Sequence, residues 1–105
     1  MSQSITLTTK IAVGIHDHGA DCCPHESTQM LIGISKVSSE GLGFVRIGDI
    51  SIEIGACPHG DGGNVINGSG VTFALGSGVS RIGDTVSCPG GINTIITGSS
   101  ITYSI

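Results

Sequence analysis

The chain has 105 residues, a formal net charge of −4 and four basic side chains, too few and too scattered to neutralise a nucleic-acid backbone. It contains 18 glycines, one tyrosine, two phenylalanines and no tryptophan, so it forms one domain with a small core. No apolar run is long enough to span a bilayer. Residues 1–10 lack the basic-then-apolar order of a secretory signal. We therefore expect synthesis in the cytoplasm without a signal peptide.

Short strands are predicted along the chain, because its apolar residues are mainly isoleucine and valine, which fit strands. Residues 1–12 form an N-terminal strand or extension. The segment Met30-Leu31-Ile32 is a short strand or a partial turn of helix. Ile92 to Ile96 is a further strand. No segment shows a helical period with caps, which predicts an all-β domain spanning residues 1–105.

A degenerate repeat organises these strands. Residues 33–49 align with residues 68–84, and both end in an Arg-Ile-Gly-Asp block. A third copy is split across the termini: it starts near Val13-Gly14 and its other half is residues 98–103. We expect the glycine of Val13-Gly14 to correspond to the glycines of the Ile-Gly-Asp triplets.

Each repeat is predicted to be a hairpin. Val71 to Leu75 alternates in polarity, Gly76-Ser77-Gly78 forms the turn, and Val79 to Ile82 returns as the second strand. A single two-stranded unit is marginal in water. Three hairpins are therefore expected to pack around one axis, with their loops converging at one end.

The tripeptide Cys-Pro-x occurs once in each of these loops. The copies are Cys23-Pro24-His25, Cys57-Pro58-His59 and Cys88-Pro89-Gly90. One metal ion held by the three loops would tie the repeats together, as small domains often require. Histidines beside the cysteines and a cytosolic origin favour a metal over a disulfide between Cys23 and Cys57. Cys22 and Cys23 as small buried side chains are a further alternative.

Together these blocks resemble the PAAR-repeat proteins, which form the spike tip of contractile injection machines such as the type VI secretion system and phage tails. The resemblance runs from about Gly14 to Ile105. It depends on the Arg-Ile-Gly-Asp blocks at 46–49 and 81–84, the Cys-Pro loops at 57–60 and 87–91, and the glycines at 68 and 98. It implies an all-β, compact cone of three pseudo-threefold β-hairpin repeats, with a structural zinc near its point bound by histidines and a cysteine.

The ligand positions follow from the repeat. His25 and His59 occupy equivalent positions, and Cys88 is the only metal-binding residue type in its loop. For the fourth ligand we favour His18, because Gly19 beside it leaves room for close approach. His16 and Cys57 are close alternatives, and Cys23 is a third. Mixed nitrogen and sulfur donors favour zinc, with iron as the alternative.

The resemblance also implies a structural, non-enzymatic function. One monomer would cap the trimeric β-helical spike protein, focus the force of contraction on a target membrane and be delivered outward, with effector cargo as a further partner. The first alternative is a small zinc hydrolase that uses His18, His59 and Cys88, with Asp17 or Glu26 as its base. The second is a metal-free interaction module.

The two aspartates of the repeated blocks are expected to be structural. Asp49 and Asp84 each end a strand, where an aspartate commonly caps a turn through backbone N–H groups. Arg46 and Arg81 are expected to pair with these neighbouring carboxylates. A catalytic pair of carboxylates is the less favoured interpretation.

Overall fold

The computed structural model describes residues 3–17, 25–54 and 62–105, with the backbone alone at His25. The described residues contain twelve strands and no helix, which confirms the all-β prediction. No helix in these ranges has the length and apolar character that crossing a membrane requires. The strands are β1 Gln3–Ser4, β2 Ile11–His16, β3 His25–Ile32, β4 Ser38–Ser39, β5 Leu42–Gly43, β6 Ile50–Glu53, β7 Gly63–Val65, β8 Phe73–Ala74, β9 Ser77–Gly78, β10 Thr85–Cys88, β11 Gly91–Ile95 and β12 Tyr103–Ser104.

Six strands close into a barrel in the order β10-β11-β2-β3-β6-β7, and every neighbouring pair is antiparallel. The barrel consists of three hairpins, β2–β3, β6–β7 and β10–β11. Since the strands alternate in direction, the three pairs of strand ends that flank the hairpin connections lie at one end of the barrel. We call this the loop end; it is bounded by His16 and His25, Glu53 and Gly63, and Cys88 and Gly91.

Inward side chains fill the barrel with an apolar core, because successive residues of a strand point to opposite faces of the sheet. The six members of this core are at most 1% exposed. They are Ala12, Leu31, Val45, Val65, Val86 and Ile95. Cys88 packs against this core from the loop end.

Three segments cross beneath the barrel in a cyclic arrangement. The amide of Val45 donates to the carbonyl of Thr6 (3.0 Å), that of Thr6 to Ser80 (2.9 Å), and that of Ser80 to Val45 (2.8 Å). All three residues are fully buried. We call these three residues the hydrogen-bonded ring. Since each member both donates and accepts, the three segments are held equally, as three packed repeats would require.

A small two-stranded ribbon belongs to each of the three segments. The ribbons pair β4 with β5, β8 with β9, and β1 with β12. They connect to the barrel strands at the ends opposite the hairpin connections, so they form a second end, which we call the ribbon end. A second buried cluster of Ile5, Leu7, Ala74 and Val79 lies there. The molecule is elongated, with extents of 41 × 24 × 22 Å.

The ribbon turns differ in position from the prediction. The turn of β8–β9 is formed by Leu75 (φ 49°) and Gly76 (φ 86°), and Ser77 and Gly78 belong to β9. Two consecutive residues with positive φ fit the right-handed twist of a tight hairpin. Gly78 is in a strand for a different reason: a Cβ there would collide with the carbonyl oxygen of Ser69.

The repeated Arg-Ile-Gly-Asp block is the turn that leads two of the three segments into the barrel. The carboxylate of Asp49 accepts from the backbone N–H of Arg46 (2.8 Å) and from its guanidinium (3.1 Å), and Asp84 binds Arg81 in the same way. These bonds raise the pKa of both arginines. The capping and pairing roles predicted for the aspartates and arginines are confirmed.

The third copy of this turn lacks the motif. In the two clear copies a glycine with φ of 93° or 97° precedes the aspartate, whereas Thr9 has φ 76° and precedes Lys10. The amide of Lys10 bonds the carbonyl of Leu7 (3.0 Å), as Asp49 bonds Arg46. The expectation that Gly14 is the counterpart of these glycines was wrong. Gly14 lies inside β2, where a Cβ would collide with the backbone of Ile92.

Replacing Thr9 with glycine should stabilise the fold, because a β-branched residue at positive φ is strained. We expect Thr9→Gly to raise the free energy of unfolding by about 1 kcal/mol, since left-handed backbone costs an L-residue roughly that much. Chemical denaturation would measure it. The reverse change, Gly83→Thr, is the control and should lower stability. A Thr9→Gly variant less stable than the parent would contradict this account.

Candidate functional site

Polar side chains replace apolar ones where the barrel interior approaches the loop end. We call this group the polar network. Most of its members are at most 3% exposed. The members are His16, Ser27, Gln29, Ser51, Glu53 and Asn93. Because buried polar groups are costly unless hydrogen-bonded, the bonds among these side chains decide what the site can do.

Asn93 orients His16. The amide nitrogen Nδ2 of Asn93 points at the backbone carbonyls of Ala12 (3.3 Å) and Ser27 (3.2 Å), which can only accept. Its Oδ1 therefore faces His16 Nε2, at 2.7 Å. An amide oxygen also only accepts, so Nε2 of His16 carries the proton. In neutral His16 the lone pair is consequently on Nδ1.

Glu53 brings a carboxylate to the same interior. Its Oε1 accepts from the hydroxyl of Ser27 (2.5 Å) and the amide of Gln29 (2.9 Å), and its Oε2 accepts from the backbone N–H of Thr28 (3.2 Å). Hydrogen bonds to an ionised acceptor are about twice as strong as neutral ones. The other end of Gln29 accepts from Ser51 at 2.8 Å. The network therefore runs without a break from His16 to Ser51.

Cys88 and His16 both lie next to glycines at the loop end. A Cβ at position 63 would lie 2.6 Å from the Cys88 sulfur, and one at position 91 would lie 3.3 Å from Cδ2 of His16. Cys88 pairs with Gly91 across the hairpin, and the next residue after His16, Asp17, donates its N–H to Gly90 (2.9 Å). The close backbone of Ser87 and Ile15 requires these glycines, and they also leave space for the Cys88 thiol on β10 and the His16 imidazole on β2, the two neighbours of β11.

The predicted ligands are described only in part. His18 and His59 lie outside the described residues, as do the alternatives Cys57 and Cys23. The backbone of His25 pairs with His16 at the loop end, and Cys88 lies at the same end. Among the described side chains, no group of three or more histidines, cysteines or acids is placed to hold a metal ion. The four-ligand set therefore stays a prediction.

The hydrolase alternative named Asp17 and Glu26 as bases. Glu26 is exposed and adjoins the inward-facing Ser27, so its carboxylate lies on the outside of the barrel. Asp17 is also exposed. Neither residue belongs to the polar network inside the barrel.

Most residues of the polar network were not predicted from the sequence. The signal for these residues in the sequence is the alternation of side chains along a strand. Asn93 lies between the outward residues Ile92 and Thr94, and Gln29 lies between the outward residues Thr28 and Met30, so both polar side chains face inward. An inward polar residue in a half-apolar strand predicts a buried hydrogen-bonding role.

Comparison with known proteins adds no relative. No protein-family model, no curated protein and no solved structure matches this chain. The described residues define a class by architecture alone: a small closed antiparallel barrel of three hairpins, with a polar interior at one end and three ribbons at the other.

Removing the Asn93 amide should destabilise the barrel strongly. Asn93→Leu removes the bond to His16 Nε2 and one bond to each of two buried carbonyls, and a buried polar group that loses a bond costs about 1–3 kcal/mol. We expect a loss of about 3 kcal/mol in the free energy of unfolding, because several buried bonds are lost at once. Thermal or chemical denaturation would measure it.

The matched control is Thr94→Val, which changes the next residue on the exposed face and should alter stability by less than about 0.5 kcal/mol. Equal losses from the two variants would show that the Asn93 bonds are not what stabilises the loop end.

Proposed function

We propose that this protein is a non-enzymatic spike tip of the PAAR-repeat type, which caps the trimeric β-helical spike of a contractile injection machine. The observation that carries the proposal is the hydrogen-bonded ring of Thr6, Val45 and Ser80. It joins three similar segments of one chain around one axis. A single chain with three similar sectors can meet the threefold axis of a homotrimer, where each sector faces one subunit.

The ribbon end offers the docking surface. Two of its three sectors expose large apolar side chains, each 55–70% exposed. They are Val71, Phe73, Leu75, Ile101, Tyr103 and Ile105. Exposed apolar side chains grouped on a few short segments in this way mark an interaction site. The ribbon end would therefore rest on the spike, and the loop end would point away from it.

The third sector is polar and tied to its neighbour. The Glu40 carboxylate accepts from the hydroxyls of Ser99 and Ser100 (both 2.7 Å) and from the N–H of Ser100 (3.2 Å). These bonds, those of the Ser100 side chain first, lower the pKa of Glu40. The hydrogen bonds of Glu40 hold the β4–β5 ribbon against the segment before β12. All three sectors would thus meet the trimer as one body, although one of them is polar.

A metal at the loop end would brace the tip. The residues fit zinc, since thiolate and imidazole are its preferred donors, and glycines 63 and 91 leave room beside Cys88 and His16. The proposed ligands are His18, His25, His59 and Cys88, with His16, Cys57 and Cys23 as alternatives. A bound zinc would contribute folding free energy and so resist unfolding of the loops under load.

Protein purified without added metal should contain close to one zinc per chain. Cys88→Ser should lower that content at least about fivefold, because the thiolate is a principal zinc donor, and it should lower the melting temperature. Elemental analysis by mass spectrometry would measure zinc and iron together. Ser87→Ala, one residue away on the outer face, is the control and should keep its metal. Parent protein that contains neither metal would refute the metal-braced tip.

Docking should depend on the apolar sectors. Mixed with a purified trimeric β-helical spike protein, the chain should form a complex of one copy per trimer, measured by light scattering after size exclusion. Phe73→Asp and Ile101→Asp should each weaken binding at least about tenfold, since a buried unpaired carboxylate at an interface costs several kcal/mol.

Asn64→Asp, an exposed change on the barrel wall, is the matched control and should bind like the parent. A stoichiometry other than one per trimer would contradict the spike-tip proposal. So would binding that neither ribbon-end aspartate disturbs.

A further inference from the structure

One side of the barrel carries isoleucines at its outward positions. Six of them are 40–62% exposed. We call them the isoleucine wall: Ile15, Ile50, Ile52, Ile54, Ile92 and Ile96. They stand on β2, β6 and β11 and just beyond the ends of β6 and β11. Register joins them through the intervening strand β3, where Met30 lies between Ile11 and Ile52, and Ile32 lies opposite Ile50. The apolar surface is therefore continuous across four neighbouring strands.

The wall is larger on one side of the barrel. On β7 and β10 the outward residues within the strands are Asn64, Thr85 and Ser87, all polar, and the exposed isoleucine there is Ile66, just beyond β7. A trimer docked at the ribbon end would not cover the barrel strands, so it does not account for this apolar surface. The wall thus indicates a separate partner that approaches from the side.

The partner must contribute side chains. Every wall strand is hydrogen-bonded to a neighbour on each side, because the barrel is closed. No strand edge is available there to pair with an added β-strand. An amphipathic helix lying on the wall satisfies this condition. The six residues of β2 span about 20 Å, which matches a helix of about 13 residues.

The charge of the partner follows from a groove in the wall. The groove has a volume of about 400 Å³ and lies over the β2–β3 hairpin, with Val13, Ile15, Glu26 and Thr28 along its sides. Glu26 is the single charged residue among the described outward side chains of the four wall strands, and Asp17, exposed just beyond β2, is a second carboxylate near Ile15. A lysine or arginine could lay its aliphatic stem on Val13 and Ile15 and bring its cation to Glu26.

We propose that the isoleucine wall binds an amphipathic helix of another protein, with apolar residues at i, i+3, i+4 and i+7 and a lysine or arginine that pairs with Glu26. The proposal goes beyond the spike-tip function and does not depend on it, since the wall and the ribbon end are separate surfaces. It rests on the continuity of the apolar residues, the closed sheet and the carboxylate of Glu26.

The test uses the full chain and a set of fluorescein-labelled synthetic 14-residue helical peptides. Each peptide carries leucines at the four stated positions and a lysine at one flanking position; a matched set carries glutamate there instead. Fluorescence anisotropy measures affinity. The parent protein should bind lysine peptides at least about fivefold more tightly than their glutamate partners, as expected for one ion pair of about 1 kcal/mol.

Three variants locate the binding surface. Glu26→Lys should reverse the preference between the two peptide sets. Ile15→Ser combined with Ile92→Ser should weaken lysine-peptide binding at least about tenfold. Thr85→Ser, on the polar side, should change nothing, and thermal denaturation should confirm that all variants are folded. Phe73→Asp should also leave peptide binding unchanged, which separates failure of this proposal from failure of spike docking.

Several outcomes would overturn the proposal. One is the absence of saturable binding to any peptide, and another is binding that Glu26→Lys leaves unaltered. Concentration-dependent self-association abolished by the isoleucine changes would assign the wall to a second copy of this chain. Binding to phosphatidylcholine vesicles that is lost in the same variant would assign it to a lipid surface.

Discussion

The hydrogen-bonded ring of Thr6, Val45 and Ser80 is the constraint on which the architecture depends. Its residues come from distant parts of the chain and are fully buried, so their amides and carbonyls have no water to bond and must pair with one another. Each segment donates to one neighbour and accepts from the other. Loss of one segment would leave an unpaired donor and an unpaired acceptor in the other two. The three segments are therefore stable only together.

The ring also separates the molecule into two ends with different chemistry. On one side each segment continues into the barrel, whose hairpin connections all leave at the loop end. On the other side each segment joins a ribbon, and two of the three ribbon sectors expose apolar side chains. Metal-binding residue types are thus gathered at one end, and exposed apolar side chains at the other. A substitution at the ribbon end can leave the loop end undisturbed, because the ring and the barrel core lie between them.

The sequence predicted the parts of the fold that depend on short, repeated motifs. The Arg-Ile-Gly-Asp turns were predictable because arginine, glycine and aspartate each have a distinct role there: charge pairing, positive φ and backbone capping. The third copy was misplaced, since Thr9 adopts the same backbone conformation without a residue type that reveals it. Barrel closure and the ring were not predictable, because they arise from long-range backbone pairing. The inward position of Asn93 was implied by the alternation of its strand, but its bond to His16 depends on a contact between β2 and β11.

The polar network makes the loop end part of the buried interior of the barrel. Here Glu53 and Gln29 are held by hydroxyl and amide donors, and Asn93 sets the protonated nitrogen of His16. Buried networks of this kind specify one arrangement when every member is satisfied, since any displaced member leaves a costly unpaired group. The strand ends that carry His16, His25 and Cys88 are consequently fixed before any ligand binds, and a metal ion would meet donors on a rigid frame.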